Sequence, residues 1–401
     1  MKQKSFRLLR NLSFIFTLLN ISVSAQIGAP KILNDVRSFE VTACAPFNNN
    51  IVAAWMEKRP ERKDNSEDAA DMRIAYKSSV DNGRTWNEKG IIDMPDTFGN
   101  GNPFVTSSRK GAVYLVCMHI GTDFYSGNIS LYEFNFKLKK FVLKSVPIKS
   151  TDHLLDKPAI VCNGKEIHLV YISYPKRDKN SVKYLYSKDD GLTWSEPMDV
   201  FTNGTGSYLG PSITVLDNKQ VAVSVGSYGF NKEIYFVKKK MDTDKAVFET
   251  PVSVAKITRE QGAAMSELYS DGSRLVLSWQ NPHQRSEIWM AVSRDSGSSW
   301  NSPQQIIKFG NLFSGVFDTK GNLHCIYSDF ADDRFSVSYK QFDEKNNLIK
   351  HGYVKESAPL PAFNEYLGAF QKLLITNYEL NAFWIDYPDD HTLKLTNWKI
   401  N

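Results

Sequence analysis

The chain is poor in cysteine, and its body has no long apolar run, no helical periodicity and no basic stripe. Each absence removes a class of protein. The four cysteines, Cys44, Cys117, Cys162 and Cys325, fall at unrelated spacings inside apolar runs. No Cys-x-x-Cys or His–Cys ligand spacing marks a metal site, so we read them as small buried hydrophobes. Cys117–Cys162 is the single bridge worth expecting. The one strongly apolar stretch, Leu12 to Ile21, is too short for a comfortable membrane span. Lys2, Lys4, Arg7 and Arg10 precede it and Ser22-Val-Ser-Ala25 follows, so residues 1–25 read as a cleavable signal peptide of an exported protein, periplasmic or secreted. The formal charge of +5 includes those four basic residues and no acid among them, leaving +5 − 4 = +1 for the rest. A nucleic-acid partner is not expected from so neutral a chain. No linker or low-complexity segment interrupts residues 26–401, which we take as one domain and a monomer.

One eight-residue pattern, Ser-x-Asp-x-Gly-x-(Ser/Thr)-Trp, occurs three times: at Ser79–Trp86, Ser187–Trp194 and Ser293–Trp300. Each copy follows an alternating apolar run. That is a strand entering a tight turn, where Gly supplies a left-handed backbone and the Asp and Ser oxygens bond turn amides. Degenerate versions fill the gaps. Strand-turn-strand segments start near Met72, Asn128, Val182, Glu233, Glu287, Phe335 and Thr392, 48 to 57 residues apart. Such a period belongs to propeller blades. A second strand precedes each segment, from Ile51–Trp55 through Leu380–Trp384, and a first, inner strand precedes that. The reading is therefore an all-β, seven-bladed β-propeller. Its last blade has three strands, and the segment at Pro30–Asn34 supplies the fourth and closes the ring.

The three turns resemble the Asp-box, or BNR, hairpins of sialidase-like β-propellers. That resemblance implies that the boxes lie on one face, with their tryptophans packing between strands. It places the starts of inner strands and the ends of second strands on the other face, where a ligand binds. This second face is expected to carry Trp55, Glu57 and Arg59 in blade one, and Asn100, Asn102, His119 and Asp123 in blade two. Blade three adds His153, Lys157, Tyr174 and Arg177, and blade four Tyr228. Blade five adds Trp279, Gln280 and His283, and blades six and seven Asp329, Glu365, Trp384 and Asp386. Aromatic faces stacking on sugars and polar tips fixing them make a glycan platform.

Several chemistries fit such a platform. Ala53-Ala-Trp-Met-Glu57-Lys-Arg59 and Glu267-Leu-Tyr-Ser-Asp271 look like sialidase segments. Sialidase chemistry, however, needs an arginine triad, a Tyr nucleophile with a Glu partner, and an Asp acid. Here Gln280 stands at the second arginine position, Phe313 at the tyrosine and Gly262 near the glutamate, so the nucleophile is lost. The blades also resemble ulvan-type propeller polysaccharide lyases. By that likeness the chain acts on an acidic, uronate-containing polysaccharide or oligosaccharide through β-elimination, as a lyase or a dehydratase. His119, His153 and Tyr174 are then the acid and base in either order, and Arg177 and Lys157 neutralise the carboxylate. Arg59, Trp55, Trp279, Gln280, Tyr228 and Trp384 complete the substrate surface. A divalent ion such as calcium stays open, although no ligand spacing marks a site for it. Two further readings remain. One is a hydrolase using Glu57 with Asp71 or Asp329 with Asp386; the other is a propeller that binds glycan without catalysis. His168 and His324, inside second strands, are expected to be satisfied sheet residues, and His391 exposed in a turn.

Overall fold

The computed structural model describes residues 27–400 apart from 48, 61–70, 95, 202–206, 229–231, 242–246, 258–264, 273, 281–286, 360–370 and 387–390. The expected leader lies outside these residues. Among the described residues no helix is long and apolar enough to cross a membrane.

The repeat folds into seven four-stranded antiparallel sheets, the blades of a β-propeller. Their inner strands are Ser38–Cys44, Gly99–Ser107, His153–Asn163, Ser207–Val215, Met265–Ser270, Gly310–Phe317 and Lys372–Thr376. Third strands begin within one residue of the positions read from the repeat. In blade seven, Lys372–Thr376, Glu379–Ile385 and Leu393–Lys399 are completed by Lys31–Asn34 from the other end of the chain, with Lys31 opposite Leu395. The ring is closed as the sequence implied.

Both faces of each blade meet a neighbour, and this is why second strands such as Val113–Ile120 are buried along their whole length. Seven apolar clusters result, one in each seam. Seam one/two holds Val52, Ile74, Leu115 and Phe134, and seam seven/one holds Leu33, Trp55, Ala75 and Phe383. Cys117 packs in seam one/two and Cys162 against seam two/three, so the sheet of blade two stands between them. All four cysteines are free thiols; Cys44, Cys117 and Cys325 are buried as expected, Cys162 is half-buried, and the Cys117–Cys162 bridge that was considered is absent.

The three repeated turns share one hydrogen-bond scheme. In the first, Ser79 Oγ donates to Asp81 Oδ1 at 2.8 Å and accepts from the Gly83 amide at 2.9 Å. Asp81 accepts from the Thr85 amide at 2.8 Å and the Thr85 hydroxyl at 2.6 Å. Asp189 and Asp295 repeat it. The turn needs two successive left-handed residues. Asn82–Gly83, Asp190–Gly191 and Ser296–Gly297 supply them. Trp86, Trp194 and Trp300 then pack onto three different seams.

Candidate functional site

Side chains of a strand stand perpendicular to its sheet, so in a radial blade they point at the neighbouring blades and not at the axis. A local break in an inner strand is one way to turn a side chain inward. Five inner strands carry that break, a register shift at Phe39/Thr42, Gly101/Phe104, Asp156/Ala159, Leu209/Ser212 and Asn311/Ser314. At each bulge one residue is left-handed: Glu40, Asn102, Lys157, Gly210 and Leu312, with φ between 45 and 57°. For a residue other than glycine this conformation costs about 1–2 kcal/mol, and such strain concentrates at functional sites. Glu40, Asn102, Lys157 and Gly210 line an axial cavity of about 220 Å³.

The cavity holds two polar groups from different blades. Lys157 Nζ donates to Glu40 Oε1 at 2.9 Å and to Asn102 Oδ1 at 2.7 Å. Asn102 Nδ2 in turn donates to Asp156 at 2.6 Å. On the blade five wall the Tyr269 hydroxyl donates to the Glu267 carboxylate. Burial raises the Glu267 carboxyl above its ordinary range, against the opposing pulls of the Tyr269 hydroxyl and Lys372. Burial, reinforced by Glu267, raises the Tyr269 phenol as well. No arginine lines this cavity among the described residues. Nor do any three His, Cys, Asp or Glu side chains among them gather to hold a metal ion.

A second, open cleft of about 420 Å³ lies between blades three and four. It brings together Tyr174, Arg177 and Tyr228 from the sequence reading, with Lys176, Asp178, Lys179, Asn180 and Ser207. Burial raises the Tyr174 phenol, with Asp156 and Tyr228 adding to the shift and Asn180 and Lys157 opposing it. Tyr174 lines the cleft and pairs with Leu154, two positions before Asp156 at the bulge of blade three.

The chain has the fold of the sialidase-like β-propellers. An α-L-arabinanase from Penicillium chrysogenum, solved with arabinobiose, superposes with a TM-score of 0.54 at 13% identity, over 93% of this chain and 98% of that one. A Streptococcus pneumoniae sialidase gives 0.53 at 12% identity, over 92% and 70%. An intramolecular trans-sialidase from Ruminococcus gnavus gives 0.51 at 13%, over 92% and 96%. No family model matches the sequence, and no curated protein matches it.

Several positions expected on the ligand face of this propeller are structural. His119 is 1% exposed. Its Nδ1 meets Asn100 Oδ1 and its Nε2 the Tyr132 hydroxyl at 3.2 Å, and burial pulls its pKa down to about 4 against the pull of Asp93. Arg59 is buried on the same network, bidentate to Asp93 at 2.7–3.2 Å and bonded to the Met94 carbonyl at 2.8 Å. Trp55, Trp279 and Trp384 lie in the seams, at most 6% exposed. Fully burying so large an apolar side chain is worth about 1.5–3 kcal/mol, and packing decides their place. Gln280 is buried and accepts the Phe313 amide at 3.0 Å.

The expected catalytic group of His153 and Tyr174 is split. Leu154 pairs with Tyr174 and His153 with Pro175, and His153 Nδ1 lies 2.8 Å from Ser173 Oγ. Neighbours along a strand alternate faces. His153 thus shares the face of Ser173, whereas Tyr174 packs into seam three/four. The expected carboxylate pairs are also spent: Glu57 on Arg73 and Lys89, Asp71 against Arg59, and Asp386 on Lys355 and Lys394. His324 is satisfied as expected, its Nδ1 2.7 Å from the Tyr339 hydroxyl and its Nε2 3.1 Å from Asp318. His168 is satisfied at Nδ1 alone, 2.7 Å from the Tyr184 hydroxyl, and its buried Nε2 has no hydrogen-bond partner among the described residues. His391 is buried beside Phe39, not exposed. His283, Glu365 and Gly262 lie outside the described residues.

Asn102 was expected on the ligand face and lines the cavity; Glu40 and the pair Glu267–Tyr269 were given no role from sequence. A signal for the bulges was present. Pro103, Pro158 and Pro211 follow three of the left-handed residues, and a proline inside a strand marks a bulge.

Proposed function

We propose that this protein is a carbohydrate-active enzyme that cleaves a glycosidic bond at the axial cavity. Glu267 is the proton donor and Glu40 its carboxylate partner. One observation carries the reading: two carboxyl groups from different blades line one cavity and have different partners there. Glu267 is buried against a phenol, and burial raises its carboxyl, which favours the protonated form that gives a proton to a leaving oxygen. Glu40 is ion-paired with Lys157. Acid–base assignments in glycoside hydrolysis follow from such a divergence between two carboxyls. The glycan-acting enzymes among the structural neighbours support a saccharide as the substrate class.

A second reading, β-elimination on a uronate, has its own support in Tyr174. The raised phenol stays protonated and suits the acid role toward the group leaving C4, and Lys157 and Arg177 suit the uronate carboxylate. One assay separates the two. Oligosaccharides with and without uronate are incubated with the protein while reducing ends and unsaturated product are followed in parallel. Hydrolysis yields reducing ends without ultraviolet absorbance, and Glu267→Gln or Glu40→Gln lowers kcat about 100-fold or more. Unsaturated product that depends on Tyr174, with both glutamate variants fully active, overturns the hydrolytic reading.

A further inference from the structure

We propose that the cleft between blades three and four is a subsite for an anionic saccharide unit, placed beside the axial cavity. The inference rests on the proposed function only in taking the ligand to be a saccharide.

The floor of the cleft is fixed. Asn180 is buried, and its amide bonds both backbone groups of Tyr208 across the seam: Nδ2 donates to the carbonyl at 2.8 Å and Oδ1 accepts the amide at 2.6 Å. The same Nδ2 lies 3.4 Å from the Tyr228 hydroxyl. One buried amide therefore locks blade four against blade three and sets the second tyrosine. Tyr174 and Tyr228 each keep part of their surface open to the cleft. Aromatic faces of this kind stack on the apolar faces of a sugar ring.

The rim is cationic. Lys176, Arg177 and Lys179 are exposed there, against one acid, Asp178, whose carboxylate accepts the Lys179 amide at 2.7 Å. Lys176 Nζ sits 5.4 Å from the centre of the Tyr125 ring, which positions it from the blade two side. No hydrogen bond or ion pair engages the Arg177 guanidinium among the described residues. A planar fork left open beside two phenol rings matches a carboxylate or a sulfate, which it grips with two parallel bonds. A volume of about 420 Å³ lies within the range of small-ligand sites. Tyr174 pairs with Leu154, two positions before Asp156 of the bulge, so the cleft adjoins the cavity along blade three.

The test is calorimetric binding to the full chain carrying Glu267→Gln, which removes turnover. Three oligosaccharides of equal length are used: one carboxylated, one sulfated and one neutral. The anionic probes bind more tightly than the neutral one, and this preference shrinks as salt is raised. Arg177→Gln weakens the anionic probes about tenfold or more and leaves the neutral one unchanged. Tyr228→Ala weakens all three. Retention of only the carboxylated or only the sulfated probe assigns the anion; equal response to both assigns charge alone. An Arg177→Gln protein with unaltered thermal unfolding and an undiminished anionic preference overturns the proposal. Glutamate variants that cleave normally while the preference persists overturn the cavity reading and leave this one standing.

Discussion

Removing Glu57 should loosen the closure of the ring. This carboxylate is wholly buried, yet it receives Arg73 at 2.6 and 2.9 Å and Lys89 at 3.0 and 3.2 Å. Asn34, on the strand that completes blade seven, donates to it at 3.1 Å, and Lys89 also bonds Asn34 Oδ1 at 3.1 Å. Glu57 thus joins the two ends of the ring through one side chain. Glu57→Gln keeps the shape and leaves two cations facing a neutral amide. Breaking a buried pair from one side costs about 3–5 kcal/mol. The lower figure applies here, because the Arg73 and Lys89 side chains are 18% and 26% exposed and can recover some hydration. For a chain of this size the unfolding entropy is about 0.8 kcal/mol/K, so about 3 kcal/mol lowers Tm by about 4 °C. Differential scanning calorimetry measures this. The combined variant Glu57→Met, Arg73→Met, Lys89→Met removes every charge together and should recover most of the loss. A Tm change under about 1 °C for Glu57→Gln, or a triple variant no better than the single one, refutes the reasoning.

Acid should act on the repeated turns and on the buried imidazoles in different windows. At Asp81 burial is the largest single effect and raises the carboxyl, yet the turn hydrogen bonds together outweigh it; the same bonds hold Asp81, Asp189 and Asp295 down to about 2. A depressed carboxyl stabilises the fold above its unfolded value, so this contribution is lost as pH falls from about 4 to about 2. Asp→Asn at all three turns should flatten that part of a stability titration. Burial pulls His119 and His168 down to about 4. Between about 6.5 and 4 the unfolded chain binds protons that the folded chain refuses, so stability falls as pH drops through that window. His119→Gln should reduce the slope there while leaving glycan binding unchanged, as measured by the same calorimetry; weakened binding at unchanged stability would return His119 to the ligand face.

The number of blades, the second strands and the closing segment were all legible because each repeat must bury two apolar faces. That demand writes a period into the sequence. The functional face was harder to read. Trp55 and Trp384 lie in strands, as expected, but a strand in a radial blade turns its side chains to the neighbouring blades. Large aromatic residues near strand ends therefore look the same whether they stack on a sugar or fill a seam. His119 and Arg59 mislead for a related reason: a polar residue at a strand end can be satisfied internally, here through Asp93 and Asn100. Tyr174 and Arg177 were read as neighbours and line one cleft, since a loop between adjacent strands leaves little freedom of placement; the approach of Tyr228 from the next blade was not legible.

By itself the sequence determined the seven blades, their closure by the segment at Lys31–Asn34, and the turns built on Asp81, Asp189 and Asp295. These rest on local hydrogen bonds and on alternation along the chain. Only the tertiary structure decided which side chains reach the axis. That depends on five bulges whose left-handed residues turn Glu40, Asn102 and Lys157 inward, and on the meeting of blades far apart in sequence. Glu40 and Glu267 share a cavity because the ring closes. Their surroundings differ because Glu40 meets a lysine, whereas burial at Glu267 outweighs the pull of the Tyr269 hydroxyl.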